Sequence, residues 1–190
     1  ASCVRRPIAS VAMERGRAAR QHAGMERRKA GGAVDMERSM MLWVAGWGFR
    51  SGADRSSFAS CWEQAHQQLD LASSKSAHWT FAVLDSRVSK PGWQQLLAWK
   101  SDNMPFADCV QIAESDISKT ETPTSSARLE QRFGTGSVCE ALAWQAALQR
   151  ADQREVQWML PRIVSADRQA TLAVVRIGSL SELQESGVLS

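Results

Sequence analysis

The sequence predicts an α/β fold, namely a three-layer α/β/α sandwich around a mixed, mostly parallel sheet of about five strands. From residue 41 onward, short apolar runs typical of buried strands alternate with patterns typical of amphipathic helices. Near the end of the chain, two apolar runs flank the short polar turn SADRQ, which favours a β-hairpin. Alternating strands and helices favour parallel pairing, and a hairpin adds antiparallel pairing, so the expected sheet is mixed.

Five apolar runs of strand length predict the sheet. They are rich in β-branched and aromatic residues and are bounded by glycine, proline or polar residues. We expect the first run to end at Gly46 and Gly48, where the chain would enter a loop. The runs are MLWVAGWGF (41–49), WTFAVLD (79–85), ADCVQIA (107–113), VQWMLPRIV (156–164) and ATLAVVRI (170–177).

Four helical patterns lie between these strands. Ser51 or Asp54 can cap the first helix, and Pro91 fits the first turn of the second. The third helix would be capped by Thr124 or Ser125. The patterns cover SGADRSSFASCWEQAHQQLDLA (51–72), PGWQQLLAWK (91–100), PTSSARLEQRF (123–133) and SVCEALAWQAAL (137–148).

The basic excess of the chain belongs to its first segment. Residues 1–40 hold nine Lys or Arg against four Asp or Glu, whereas the rest holds fourteen against sixteen. The segment is poor in large apolar residues and lacks the apolar core of a secretory signal. A nucleic-acid-binding arm and an Arg-rich targeting segment are alternatives to a disordered leader, which we favour. We therefore expect a basic, disordered extension over 1–39, one domain over 40–178 and a C-terminal tail over 179–190.

Composition excludes several classes of protein. No apolar run approaches the roughly 20 residues that a membrane-spanning helix needs. The cysteines and histidines show no spacing typical of a metal or redox site, so we expect no metal, no cofactor and reduced cysteines in a cytoplasmic protein. These residues are Cys3, Cys61, Cys109, Cys139, His22, His66 and His78.

A glycine-rich turn opens into the fourth helical pattern. Gly134, Thr135 and Gly136 precede Ser137, where the helix would begin. Free backbone N–H groups at the positive end of a helix can hold an anion, and Gly136 would let the backbone approach it. The turn lacks the lysine and the spacing of a nucleotide-binding loop. The alternative is an ordinary connection, in which Gly134 ends one helix and Ser137 caps the next.

Four segments in this order resemble the cobalamin-biosynthesis domain family shared by CobE and the C-terminal part of CbiG, the cobalt-precorrin 5A hydrolase. Each is short, but their order and spacing make the resemblance specific over the chain from about Met41 to Ile177. Because the N-terminal region of CbiG is missing, we expect the stand-alone CobE form of this family. The segments are GWGFR (46–50), DSRVSKPGW (85–93), TPTSSARLEQRFGTGSVCEALA (122–143) and LPRIVSADRQATLAVVRI (160–177).

The resemblance implies an α/β/α fold and a ligand from corrin-ring biosynthesis, a macrocycle fringed with carboxylates. Arginine guanidinium groups at strand ends could each grip a carboxylate through two bonds, although solvated surface arginines are the alternative. A flat macrocycle could lie against Trp47, whereas we expect core packing for most other tryptophans. The candidate ligand-binding residues are Gly46, Trp47, Gly48, Arg50, Arg87, Gly134, Thr135, Gly136, Ser137 and Arg162.

Two classes of function follow from the resemblance. The first is a protein that holds a precorrin or corrinoid intermediate, or transfers it to other enzymes of the pathway. The alternative is a hydrolase acting on a precorrin lactone, with Glu140 as general base and the glycine-rich turn as oxyanion hole. Glu140 could equally be a first-turn glutamate that favours the helix N-terminus. Cys139 stands where the family has alanine, and the sequence lacks a paired catalytic constellation, so we favour binding.

Overall fold

The computed structural model describes residues 42–69 and 78–178, which form one five-stranded sheet with helices on both faces. The strands are β1 (Leu42–Phe49), β2 (His78–Leu84), β3 (Asp108–Ile112), β4 (Val156–Val164) and β5 (Ala170–Ile177). The helices are α1 (Arg55–Leu69), α2 (Pro91–Asn103), α3 (Glu114–Ile117), α4 (Ala127–Phe133) and α5 (Val138–Ala151). A 3-10 turn, Asp85–Arg87, follows β2.

The strand order is β3-β2-β1-β5-β4. The pairs β1–β2 and β2–β3 are parallel, whereas β1–β5 and β4–β5 are antiparallel. It follows that β4 points the same way as β1, β2 and β3, and β5 is the reversed strand. The predicted α/β sandwich with a mixed, mostly parallel sheet of five strands is confirmed.

The central strand β1 is buried on both faces. Because successive side chains of a strand point to opposite faces, Trp43 and Trp47 pack in the core against α1 and α2, whereas Leu42 and Val44 pack against α5. A strand covered on both sides has no polar face to show, which explains its continuous apolar run.

Several local predictions are confirmed. The Asp54 carboxylate accepts a hydrogen bond of 3.0 Å from the backbone N–H of Ser57, which caps α1. Pro91 occupies the first turn of α2. The strands β4 and β5 coincide with the predicted runs, and a turn over 165–169 joins them. Of the predicted core tryptophans, Trp43, Trp62 and Trp79 are buried, whereas Trp144 and Trp158 are half-buried.

The predicted end of β1 is wrong. The strand continues through Gly46 and Gly48 to Phe49, because it stays paired with β5 as far as Phe49, and α5 crosses close to it at Gly46. A Cβ atom at Gly46 would collide with the backbone of α5, at the carbonyl oxygen of Cys139 and the nitrogen of Ala143. The first glycine therefore permits a close helix–strand approach rather than a loop.

The start of the third predicted helix is also wrong. Helix α4 begins at Ala127 with Ser126 at its N-cap position, and no side chain caps it. Thr124 instead bonds to Glu140, as described below. The four-residue helix α3, Glu114–Ile117, has no counterpart among the predicted elements.

The expected disordered extension over 1–39 and the tail over 179–190 lie outside the described residues. Cys61, Cys109 and Cys139 are free thiols. No helix in 42–69 or 78–178 is long and apolar enough to cross a bilayer.

Candidate functional site

The carboxyl ends of β1 and β2 open onto a cleft of about 730 Å³. Its walls come from the loop after β1, the turn after β2, helix α4, the N-terminus of α5 and the β4–β5 hairpin. In open α/β sheets, ligands bind in the crevice outside the carboxyl ends of the parallel strands. This position makes the cleft the candidate site.

Arginine dominates the charge of the cleft. Asp, Glu and His are absent from its described lining. None of the lining arginines forms an ion pair with a residue in 42–69 or 78–178. These six side chains are Arg50, Arg87, Arg128, Arg132, Arg162 and Arg168.

Apolar side chains lie among these cations. The guanidinium carbon of Arg132 is 4.9 Å from the ring centroid of Phe133, a cation–π contact that holds the arginine beside the helix. Leu129, Val138 and Val164 also line the cleft. The lining therefore offers both positive charge and apolar surface to a ligand.

The N-terminus of α5 lies at the cleft. Ser137 is its N-cap residue, is fully buried and lines the cleft, but its hydroxyl makes no capping hydrogen bond. The Ser137 hydroxyl instead forms a hydrogen bond with the thiol of Cys139, with 3.5 Å between Oγ and Sγ. The first-turn N–H groups of a helix have no partner within it. Together with the helix dipole, these groups favour an anion at this point.

The glycine-rich turn itself does not line the cleft. Gly134 ends α4 in the left-handed region, with φ of 68°. The hydroxyl of Thr135 donates to the carbonyl oxygen of Thr120 at 3.0 Å. A Cβ atom at Gly136 would lie 2.7 Å from the carbonyl oxygen of Thr124, so the space beside this glycine is filled by the chain. These contacts fit the alternative of an ordinary helix connection for the three residues, and the candidate anion-binding donors begin at Ser137.

Glu140 is buried away from the cleft. Its Oε1 atom accepts a hydrogen bond of 2.7 Å from the backbone N–H of Arg162. Its Oε2 atom accepts bonds of 3.0 Å from the N–H and from the hydroxyl of Thr124. The side chain is 0% exposed and does not line the cleft. We therefore do not retain Glu140 as a general base, because it joins α5, β4 and the loop before α4.

Trp47 belongs to the core rather than to a ligand loop. Its ring is 1% exposed and makes edge contacts with Phe58, Phe81 and Trp99, with centroid distances of 5.5, 5.7 and 5.9 Å. Other side chains cover most of the ring, although Trp47 is among the residues that line the cleft, so a macrocycle lying against this ring stays a prediction. Gly48 lines the cleft and Gly46 does not.

Cys139 lines the cleft but is a poor nucleophile. It is 1% exposed, and this burial raises the pKa of its thiol above the usual value. The protonated form therefore prevails at neutral pH, which agrees with its exclusion on sequence grounds.

The structure brings four sequence-predicted polar residues to one cleft, namely Arg50, Arg87, Ser137 and Arg162. The sequence analysis missed three further arginines, although a signal existed for two of them. Arg128 and Arg132 are four residues apart in a predicted helix and so share one face. Arg168 lies in the predicted hairpin turn, where sequence alone does not show which side the turn faces.

Residues 43–175 match the family model described as Cobalamin synthesis G C-terminus. A crystal structure of CobE, a protein from the cobalamin (vitamin B12) biosynthetic pathway, is similar with a TM-score of 0.54 and 19% identity, over 73% of this chain and 92% of that one. A crystal structure of cobalamin biosynthesis protein chiG from Agrobacterium tumefaciens gives 0.45 and 19%, over 70% and 96%. No curated protein sequence matches the chain.

Proposed function

The chain belongs to the family of the cobalamin synthesis G C-terminus, and we propose that its arginine-lined cleft binds a polycarboxylate precorrin or corrinoid intermediate. The family places the protein in cobalamin biosynthesis. In this proposal the protein holds a reactive intermediate, or transfers it between enzymes of the pathway.

The observation that carries the proposal is the set of six arginines without an acidic partner among the described residues. Two like charges about 10 Å apart repel by roughly 0.4 kcal/mol in water, and by more where water is partly excluded. The repulsion between several arginines in one cleft lowers the stability of the fold, and a bound polyanion would offset this repulsion. A ligand with several carboxylates matches this distribution better than a ligand with one.

A corrinoid intermediate also suits the mixture of groups in the cleft. Acetate and propionate side chains can accept paired bonds from the guanidinium groups, each charge-assisted bond contributing about 1.5–3 kcal/mol. One carboxylate can accept from the N-terminus of α5 beside Ser137. The macrocycle then covers apolar side chains such as Leu129 and Val138.

Binding is favoured over hydrolysis by the chemistry of the lining. General-base catalysis most often uses an imidazole or a carboxylate within reach of water, and the described lining offers neither. The carboxylate of Glu140 is occupied by bonds to Thr124 and Arg162.

A spectroscopic titration tests this function. Purified protein is added to cobyrinic acid, a corrinoid whose peripheral side chains are free acids, and then to precorrin intermediates, while the visible spectrum is followed. We expect a saturable spectral shift and unchanged corrinoid after extraction. A new product would show that the protein is an enzyme rather than a binding protein. The absence of a spectral shift with every polycarboxylate tested would contradict the proposal.

A further inference from the structure

The β4–β5 turn presents one arginine to the cleft in an unfavourable backbone conformation. Arg168 has φ of 60°, in the left-handed region that residues with a Cβ atom rarely adopt. Arg168 is one of the residues that line the cleft. Strained conformations of this kind persist only where surrounding contacts hold them, and they concentrate at binding sites.

The carboxylate of Asp167 supplies such contacts. Its Oδ2 atom accepts a hydrogen bond of 2.6 Å from the hydroxyl of Ser57 in α1. Its Oδ1 atom accepts bonds from the hydroxyl of Ser165 at 2.6 Å and from the N–H of Gln169 at 3.1 Å. Both serines are buried. The carboxylate of Asp167 therefore bonds the turn to helix α1 through Ser57. It also bonds to two other residues of the turn, Ser165 and Gln169, which lie on either side of Arg168 in the chain.

The same turn also fixes the loop after β1. The backbone N–H of Arg50 donates to the carbonyl oxygen of Gln169 at 2.9 Å. A shift of the turn would therefore move the backbone of a second cleft arginine. Asp167 itself does not line the cleft, so any effect on a ligand passes through its neighbours.

We propose that Asp167 is a positioning residue, which aims Arg168 at the anionic ligand by bonding the hairpin turn to Ser57 and Ser165. The inference rests on the proposed function of the cleft. The hydroxyl of Ser165, followed by that of Ser57, lowers the pKa of Asp167, so the acceptor is a carboxylate at neutral pH.

The direction in which one substitution changes ligand affinity distinguishes a positioning role from a simple effect of charge. Removing a carboxylate beside a cationic cleft makes the local potential more positive, which by itself tightens the binding of an anion. Asp167→Asn keeps the shape of the side chain but puts an amide donor where the turn and the serines need acceptors. The positioning role predicts the opposite sign, a loss of affinity of about tenfold.

The experiment is a double-mutant cycle with cobyrinic acid as the probe. Affinity is measured for the full chain, for Asp167→Asn, for Arg168→Gln and for the two combined. Glu63→Gln is the control, because it removes an equal charge from an exposed site on α1. We expect each single variant to weaken binding about tenfold, the double variant to be no weaker than Arg168→Gln, and the control to match the wild type. Ser57→Ala, which removes one of the anchoring bonds, replaces Asp167→Asn if that variant does not fold.

Equal or tighter binding by folded Asp167→Asn, or losses that multiply in the double variant, would overturn the positioning role. Amide hydrogen exchange without ligand gives an independent readout. The N–H of Gln169 donates to Oδ1 of Asp167 and to Oγ of Ser165, each at 3.1 Å. Because Asp167→Asn disturbs the first bond and the anchoring of Ser165, this N–H should exchange faster than in the wild type, and unchanged exchange would also overturn the inference. If the wild-type protein binds no corrinoid, the function proposed for the cleft fails, while the exchange rate still decides whether Asp167 holds the turn.

Discussion

The two ends of the sheet differ in whether their charged side chains have ion-pair partners. At the amino-terminal ends of β2 and β3, the Asp108 carboxylate lies 3.0 Å from Nε2 of His78 and 3.6 Å from a guanidinium nitrogen of Arg150. At the carboxyl ends of β1 and β2, six arginines face one cleft, and none has an ion-pair partner among the residues described.

The same helix connects the two ends. Helix α5 has Ser137 and Cys139 at the cleft and Arg150 in its last turn at the other end. A cation near a helix C-terminus is favoured by the dipole, and an anion is favoured at the N-terminus. At one end, the paired end, Arg150 has an acidic partner, Asp108, whereas the cleft arginines have no ion-pair partner in 42–69 or 78–178. Under the proposed function, the arginines without an acidic partner, rather than positive charge in general, distinguish the ligand-binding end of the sheet.

The largest expected effect breaks the contact that places α5 across the sheet. Gly46→Ala puts a Cβ atom into the helix backbone at Cys139 and Ala143, which side-chain movement cannot relieve. We expect the free energy of unfolding to fall by about 3 kcal/mol or more. Urea denaturation measures it, with Gly52→Ala as the control, since the nearest atom to that Cβ is the side-chain oxygen of Gln169 at 3.6 Å. Equal stability of the two variants would contradict this account.

The next largest effect is expected from removing the buried carboxylate of Glu140, which leaves all the cleft arginines in place. Glu140→Ala leaves the N–H groups of Thr124 and Arg162 without their buried acceptor. We expect a loss of about 2–3 kcal/mol in unfolding free energy, because each unpaired buried donor is costly. Thermal and urea melts would show it, and Glu63→Gln, on the exposed face of α1, should change little. A stable Glu140→Ala protein that turned a corrinoid over more slowly than wild type would return Glu140 to catalysis.

A matched pair of arginine substitutions sharpens the comparison directly. Arg162→Gln in the cleft should weaken binding of cobyrinic acid by about 10–100-fold, since it removes a charge-assisted partner. Arg150→Gln at the paired end should leave affinity unchanged. Added salt should weaken wild-type binding, because partly exposed charges are screened. Calorimetric titration gives the constants, and equal losses in both variants would mean that net charge alone is responsible.

The smallest effect belongs to the paired end. Mainly the hydrogen bond from His78 holds the pKa of Asp108 below its ordinary value of 3.8. This pair therefore stabilises the fold above the ordinary pKa, and the contribution is lost as pH falls through the lowered one. The two side chains are 35% and 52% exposed, so we expect less than about 1 kcal/mol. Melting curves from pH 6 to pH 2 should differ between the wild type and Asp108→Asn only above the transition of Asp108.

Most of the sheet could be predicted because buried strands are built from continuous runs of apolar residues, which are visible in the sequence. The runs over 156–164 and 170–177 match β4 and β5 residue for residue, since polar residues or glycine bound them. Gly46 could not be interpreted in this way. A glycine that ends a strand and a glycine that admits a crossing helix look identical until the helix is placed.

The cleft was predictable in part. Strand ends locate Arg50 and Arg87, because parallel strands end at one edge of the sheet. The partners of Glu140 lie 16 and 22 residues away in the chain, and no local pattern indicates such contacts. The turn that carries Arg168 is held by Ser57, which is 110 residues from Asp167. Side-chain contacts of this range follow from the tertiary fold alone.

The most direct test of the central claim compares two corrinoids that differ in charge. Cobyrinic acid carries free carboxylates, whereas cobinamide carries amides on a similar ring. If the unpaired arginines bind the ligand, the acid should bind at least tenfold more tightly than the amide at low ionic strength, and the difference should shrink as salt is added. Equal affinity of the wild-type protein for the two compounds, independent of salt, would contradict the account.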